Sequence, residues 1–405
     1  MTGGRGEPVT PRFAMRPGRL ILLLQGALGL LAAGYGVMFT MLDDWRGEFG
    51  TSETELGLIV AIGFFTSFAA QLGIAPLADR GRARQLMILG CLLNAAGSLV
   101  MAAGSSFPVL FLGRVVTGIG AGMAIPAIRR IVIVVQPDRV GRNLGRTVAI
   151  EVGGFALGPL LSAAMVPLLG IRSPFLAMAT VLAVVTLAVA APRIPETPAG
   201  SRSTERFAFD LLRNRALAGA VFVGLALYVM IGSFDSLWVL IMSDLRAPGW
   251  VGNAGIAVFG LPFILFGTLG GTVAQRVGPI RASATGLVCG AGFMAAYGAL
   301  GSPYTIFALA IVHMTIDAFS VTGTGIMIAE TAPPERQAAA TGLLGGMQTL
   351  TGGVTATLAG ATYEAFGRTA TMSATAATMV ALVATGVVLV GRGWIVTPRP
   401  LTTAR

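Results

Sequence analysis

The stretch that decides the fold is Ala75-Pro76-Leu77-Ala78-Asp79-Arg80-Gly81-Arg82-Ala83-Arg84. One acid and three arginines stand together between two long apolar runs, Leu56 to Ala78 and Leu86 to Gly104. Each run is about twenty residues, the length at which a helix crosses a hydrocarbon layer. A charged tip between two such runs reads as a hairpin turning at a membrane surface. The design returns as Gly271-Thr272-Val273-Ala274-Gln275-Arg276-Val277-Gly278-Pro279-Ile280-Arg281. Asp79 corresponds to Gln275, Gly145 to Gly342 and Glu151 to Gln348, at a nearly constant shift close to half of the 405-residue chain. Self-similarity at half length marks two structural halves.

Composition agrees. Hydrophobic residues make up 54% and charged residues 11%, and mean hydropathy is +0.79. Soluble proteins carry roughly 25% charge, and so apolar a chain would leave large bare patches in water. The runs are long and continuous, which points to helices and away from a barrel of short alternating strands. An all-α membrane protein of twelve transmembrane helices is expected, in two pseudo-symmetric six-helix bundles. The spans fall near 20–42, 56–78, 86–104, 108–128, 145–169, 174–191, 216–243, 251–274, 282–301, 304–329, 338–362 and 370–391. The domains are then a tail 1–19, a first bundle 20–191, a linker 192–215, a second bundle 216–391 and a tail 392–405. Residues 203–212 of the linker suggest a short amphipathic helix on the membrane face.

All 28 basic residues are arginine, and the net charge is +10. With both termini in the cytoplasm, the outer loops keep only Arg46, Arg172, Arg246 and Arg368. That asymmetry sets the orientation of a multi-pass protein, expected in the cell membrane. The arginines are scattered through short loops, so no nucleic-acid partner is expected. Cys91 and Cys289 lie inside spans, without a disulfide framework or metal pair, so neither metal nor cofactor is expected. The first apolar run is too long for a cleaved signal core and is taken as span one. The expected partners are the lipid bilayer, a small-molecule substrate and protons, and the expected state is a monomer.

Two further motifs stand out. Span four carries Arg114-Val115-Val116-Thr117-Gly118-Ile119-Gly120-Ala121-Gly122. Gly118 and Gly122 form a small-xxx-small face, and Arg114 needs protein or water around it, or must snorkel to the interface. Span five carries Gly145, Gly154, Gly158 and Pro159. Its glycines permit close helix approach, and its proline removes one backbone hydrogen bond.

Together these motifs resemble the major facilitator superfamily over nearly the whole chain. The hairpin is similar to the family pattern Gly-x-x-x-Asp-Arg-x-Gly-Arg-Arg. Asp79, Arg80 and Arg84 fall on matching positions, whereas Ala75, Arg82 and Ala83 depart from it. The resemblance implies that Asp79 and its arginines latch the inner ends of the halves in the outward-open state; a bare topology signal is the alternative. It implies a role in proton transfer for Arg114. The span-five spacing resembles the antiporter motif of drug/proton antiporters, with Ser162 in place of the last glycine. That likeness implies a kinked contact limiting proton leak between the halves; ordinary glycine packing is the alternative.

Ionisable residues inside the spans are candidate functional groups because they are costly against lipid. They are Arg114, Glu151, Asp235, His313 and Asp317. His313 and Asp317 are four apart, on one helical face, and can exchange a proton as a unit or form a structural pair. Asp235 lies in Gly232-Ser233-Phe234-Asp235-Ser236-Leu237-Trp238, where Phe234 and Trp238 can flank a ligand. Glu151 can take a proton, pair with Arg114 on the adjacent span, or meet a cation.

The expected function is secondary active efflux of a small organic compound or drug by proton antiport. A proton-coupled importer is the alternative, and a non-transporting sensor on a carrier scaffold is more remote. No phosphate-binding loop or nucleophile–base pair is visible in the sequence, so neither ATP drive nor an enzyme is expected.

Overall fold

Helix boundaries follow local chemistry. Ser52 and Glu55 form a capping box, Asn214 accepts from the amides of Ala216 and Leu217, and Ser302 accepts from that of Thr305. A proline within the first two residues opens several others, where its missing N–H is no loss. The computed structural model describes residues 15–192, 194, 207–248, 251 and 258–391. The N-terminal tail before Met15, most of the linker, the first residues of span eight and the C-terminal tail lie outside the described residues. Of the expected linker helix, only the part from Phe207 is described, as a 3-10 turn over Phe209–Arg213.

The first half comprises α1 Pro17–Thr40, α2 Leu42–Phe49, α3 Glu53–Gly73, α4 Ala83–Ala103, α5 Phe107–Val135, α6 Val140–Leu169 and α7 Ser173–Ala190. The second comprises α8 Arg215–Asp244, α9 Leu261–Val277, α10 Pro279–Ala299, α11 Pro303–Ser320, α12 Gly323–Thr331 and α13 Gln337–Val390. Ten segments among the described residues are long and apolar enough to cross a membrane. One of these holds two spans: α13 is broken at Gly367, with φ 76° and ψ 177°, a conformation suited only to glycine. Adding α9 gives the twelve-helix fold. α11 and α12 are the two parts of span ten, and the two arms of α13 are spans eleven and twelve.

Two boundaries differ from expectation. Span four continues to Val135, and span five starts at Val140. Arg129, Arg130 and Arg142 therefore lie in helices and not in loops, joining Arg146 of span five. Partners hold three of them there: Arg129 meets Glu151, Arg130 meets Asp79, and Arg146 Nε donates to Gln25 Oε1 at 2.6 Å.

Each half has its own apolar core. Leu24, Met38, Trp45 and Phe175 belong to one, and Leu227, Trp238, Tyr297 and Met379 to the other. A small cluster of Ile133, Val140, Leu144, Ala274 and Ile326 joins them. Large apolar side chains face outward, among them Leu168 (82% exposed) and Leu187 (74%). Such a surface suits lipid and not water.

The halves meet along two mirrored seams. In one, α6 crosses α9: a Cβ on Gly145 would lie 2.2 Å from the Gly267 carbonyl oxygen, and one on Gly271 2.1 Å from that of Gly141. In the other, the first arm of α13 crosses α3: a Cβ on Gly342 would lie 2.7 Å from the Gln71 carbonyl oxygen. Both seams lie at the end of the molecule that carries the hairpins.

Candidate functional site

The turn Ala75–Arg80 ends at Gly81 in the left-handed region, φ 80°. It thrusts Asp79, 1% exposed, against the other half. Asp79 Oδ1 accepts from Arg130 Nε at 3.0 Å and from the Ala338 amide at 3.0 Å, and Oδ2 accepts from the Ala339 amide at 2.7 Å. A first-half carboxylate thus satisfies two free N–H groups at the start of α13, where the helix dipole favours negative charge. Arg84 donates to the Ala190 carbonyl at the end of α7, within its own half. Arg80 is half-buried at the end of the turn. The mirrored loop makes the mirrored contact with a neutral group: Gln275 Oε1 accepts from the Gly141 amide at 2.9 Å, at the start of α6.

The span-five glycines divide between two neighbours. Gly145 faces α9 across the halves, as described. Gly154 and Gly158 pack on α1, where added Cβ atoms would lie 2.0 Å from the Gly29 carbonyl oxygen and 2.4 Å from the Val37 nitrogen. Pro159 cannot donate to the Phe155 carbonyl, four residues back. That oxygen abuts Gly36, whose added Cβ would lie 2.1 Å from it. Ser162, the departure from the family pattern, accepts from Thr40 Oγ1 at 3.0 Å. The helix that packs closely on Gly154 and Gly158 is thus α1, and the proline-bearing stretch packs within the first half. On α5, Gly118 and Gly122 meet α3 at Gly63 and Ser67, also within that half.

Arg114 is 1% exposed, so it does not snorkel. Its Nε donates to the Ile59 carbonyl at 3.3 Å, its Nη1 to Thr117 Oγ1 at 3.4 Å, and the guanidinium lies 4.7 Å from the centre of the Tyr35 ring. Its expected partner Glu151 is elsewhere: Arg129 Nη2 donates to both Glu151 oxygens, at 2.9 and 3.1 Å. Arg129, near the hairpin end of α5, out-competes Arg114, which sits about four turns away. Tyr228 of α8 lies within electrostatic range of Arg129, Glu151, Tyr35 and Asp235, so these residues surround one region between the halves.

His313 and Asp317 are both fully buried inside the second half. His313 Nε2 stands 3.4 Å from Asp317 Oδ2, longer than a good hydrogen bond. Tyr297 Oη is 3.0 Å from His313 Nδ1, and the Phe293 ring stacks on the imidazole at 4.8 Å. Neither Asp317 oxygen meets a hydrogen-bond donor among the described residues. A Cβ on Gly290 would lie 3.0 Å from His313 Nε2, 3.3 Å from the Met230 sulfur and 3.5 Å from Met379 Cε, so α8, α10 and the second arm of α13 meet beside the imidazole.

Asp235 is exposed, and among the described residues it has no hydrogen bond or ion pair. It shares a helical face with Tyr228, seven residues earlier. Phe234 and Trp238 do not flank it. They are buried, 5.2 Å apart, in an aromatic cluster with Phe259 inside the second half. At about 100° per residue, Phe234 is turned about 100° from Asp235 and Trp238 about 60° to the same side, so the two rings meet each other on the core side.

Sequence reasoning missed Arg129, Arg130 and Tyr228. The signal for the arginines was present: Ile131-Val132-Ile133-Val134-Val135 continues the apolar run beyond them.

Comparisons with known proteins agree with this architecture. The family model described as Major Facilitator Superfamily matches residues 24–252. The quinolone resistance protein NorA of Staphylococcus aureus (strain MSSA476) is 26% identical over 233 residues, which cover 55% of this chain and 58% of that protein. The alignment thus spans less than two thirds of the relative. Among solved structures, the human organic anion transporter MFSD10 (TETRAN) has a TM-score of 0.74 at 17% identity, covering 92% of this chain and all of that one. FucP, in the outward conformation, has a TM-score of 0.73 at 15% identity, covering 90% and 97%. At such identities the structures share the fold alone. With a family model matched over more than half of its length, this chain belongs to the major facilitator superfamily.

Proposed function

We propose that this protein is a proton-coupled carrier that expels a small organic compound by alternating access. The observation that carries the reading is Asp79, a buried carboxylate of one half bonded to the first amides of α13 in the other. A contact of this kind, together with the two glycine seams, closes the hairpin end. Asp235 remains accessible nine residues before the far end of α8, about 14 Å along the helix. In this reading the hairpins and both termini are cytoplasmic, the protein is a monomer in the cell membrane, and the units that rock are residues 20–191 and 216–391. The described conformation is then the outward-facing one.

The chemistry between the halves supports a cationic, aromatic-friendly substrate. Glu151 is neutralised by Arg129, Asp235 has no counter-ion among the described residues, and Tyr35 and Tyr228 line the same region. The quinolone resistance of the NorA relatives supports a drug-like compound. His313 and Asp317 are the proposed proton carriers. A charge there is costly, and the pair is sealed in this conformation, so exchange with water requires the other one.

In proteoliposomes with an imposed pH difference and a fluorescent aromatic cation, Asp317→Asn should abolish proton-driven exchange while the protein remains folded. Glu151→Gln should reduce it. Exchange unchanged in both variants would remove these acids from the mechanism. Substrate movement down the direction of an inward proton gradient would favour an importer instead.

A further inference from the structure

Arg336 immediately precedes α13, the helix whose first amides bind Asp79. A cation at a helix N-terminus faces the wrong end of the dipole. It is also a strong donor beside the acid that caps this helix. Left alone, the guanidinium would compete with the Ala338 and Ala339 amides for the Asp79 carboxylate; that would replace a direct backbone contact between the halves by a longer side-chain bridge and leave the two amides unpaired.

Arg336 is turned away. Its Nη1 donates to Asp210 Oδ2, and its Nη2 to Asp210 Oδ1 at 2.9 Å and to the Phe207 carbonyl at 2.9 Å. Asp210 and Phe207 belong to the last part of the linker. That part is anchored by Ala208 (1% exposed) and Leu211 (7%), both in the second-half core. Hydrogen bonds from Arg336 hold the Asp210 carboxyl below the usual carboxylate range, so it is charged at neutral pH. At the other end of the linker, Ala190 receives Arg84 of the hairpin itself.

We propose that Asp210 and the Phe207 carbonyl are positioning groups of the closure: they hold the Arg336 guanidinium away from Asp79 and leave the first amides of α13 free to receive it. Residues 207–210, at the end of the linker, then take part in the closure. This inference rests on the reading that Asp79 closes the hairpin end.

The mechanism makes a prediction that loss of a salt bridge alone does not. Harm from removing Asp210 comes from the released guanidinium, so removing Arg336 as well should undo it. The test uses the full chain in nanodiscs, with both cysteines replaced and spin labels on exposed Gln85 and Val277, which report the opening of the hairpin end. Asp210→Asn should raise the population at long distance at least fivefold. The double variant Asp210→Asn, Arg336→Gln should return to within twofold of the parent, as should Arg336→Gln alone. No change in Asp210→Asn, or a double variant as open as the single, would overturn the inference. If Asp210→Asn gives no folded protein, Arg336→Gln carries the test, and a fivefold opening there overturns it. Asp79→Asn separates the two readings. If it opens the end while Asp210→Asn does not, only this inference fails; if Asp79→Asn is silent, the closure itself is wrong.

Discussion

The two hairpins are copies that make mirrored contacts with different chemistry. Asp79 accepts three hydrogen bonds, one from buried Arg130 and two from the start of α13. At the mirrored place Gln275 accepts one, from the start of α6. Both put an oxygen on the N-terminal end of a helix in the opposite half, which accounts for an acceptor at each position. Only Asp79 carries a charge. Hydrogen bonds to charged groups are roughly twice as strong as neutral ones, and the helix dipole adds to the difference. The lesson is that the contact between the halves is charged on one side of the pseudo-twofold axis and neutral on the other. In the proposed alternating-access reading, the neutral side is the one that lets the hairpin end open in its turn.

Three substitutions break or sharpen that contrast, and spin-label distances across the hairpin end read each of them. Asp79→Asn should have the largest effect. It replaces the charged acceptor of two α13 amides at the helix N-terminus by a neutral one, a loss of about 3 kcal/mol or roughly a hundredfold in the closed population. Gln275→Ala removes one neutral hydrogen bond and should cost about 1 kcal/mol, roughly fivefold. Equal effects from the two would refute the asymmetry. Gln275→Asp sharpens the test, because a charge at the start of α6 should favour closure by about 0.5 kcal/mol and slow turnover. Opening of the hairpin end in that variant would mean that the dipole argument does not govern this site.

The two glycine seams offer a different contrast. Gly145 on Gly267 and Gly342 on Gln71 are related by the internal repeat, and both are contacts between backbone or near-backbone atoms. They need smallness and nothing else, so their spacing was visible in the chain. The residues that now face them were not, because a glycine does not name its neighbour.

The site was legible in the same uneven way. Buried ionisable residues stand out in any apolar sequence, and Arg114, Glu151, Asp235, His313 and Asp317 did. The four-residue spacing of His313 and Asp317 put them on one face, and they meet. Of the alternatives open for Glu151, pairing with Arg114 is not the one found: Arg129 holds it, and Arg129 lies within reach only because span four runs on to Val135. Asp235 lost its expected aromatic flanks because Phe234 and Trp238 point into the second-half core.

By itself the sequence determined that the chain crosses a membrane as helices, that it consists of two related halves, and which buried charges require an explanation. These follow from hydropathy, length and repetition, all local or periodic properties of a chain. Only the tertiary structure decided who meets whom: Asp79 with the first amides of α13, Glu151 with Arg129, Gly154 and Gly158 with α1, and Arg336 with the linker. Those partners are far apart in sequence. They are chosen by competition among several donors or small faces, and that competition is settled only when the helices are packed.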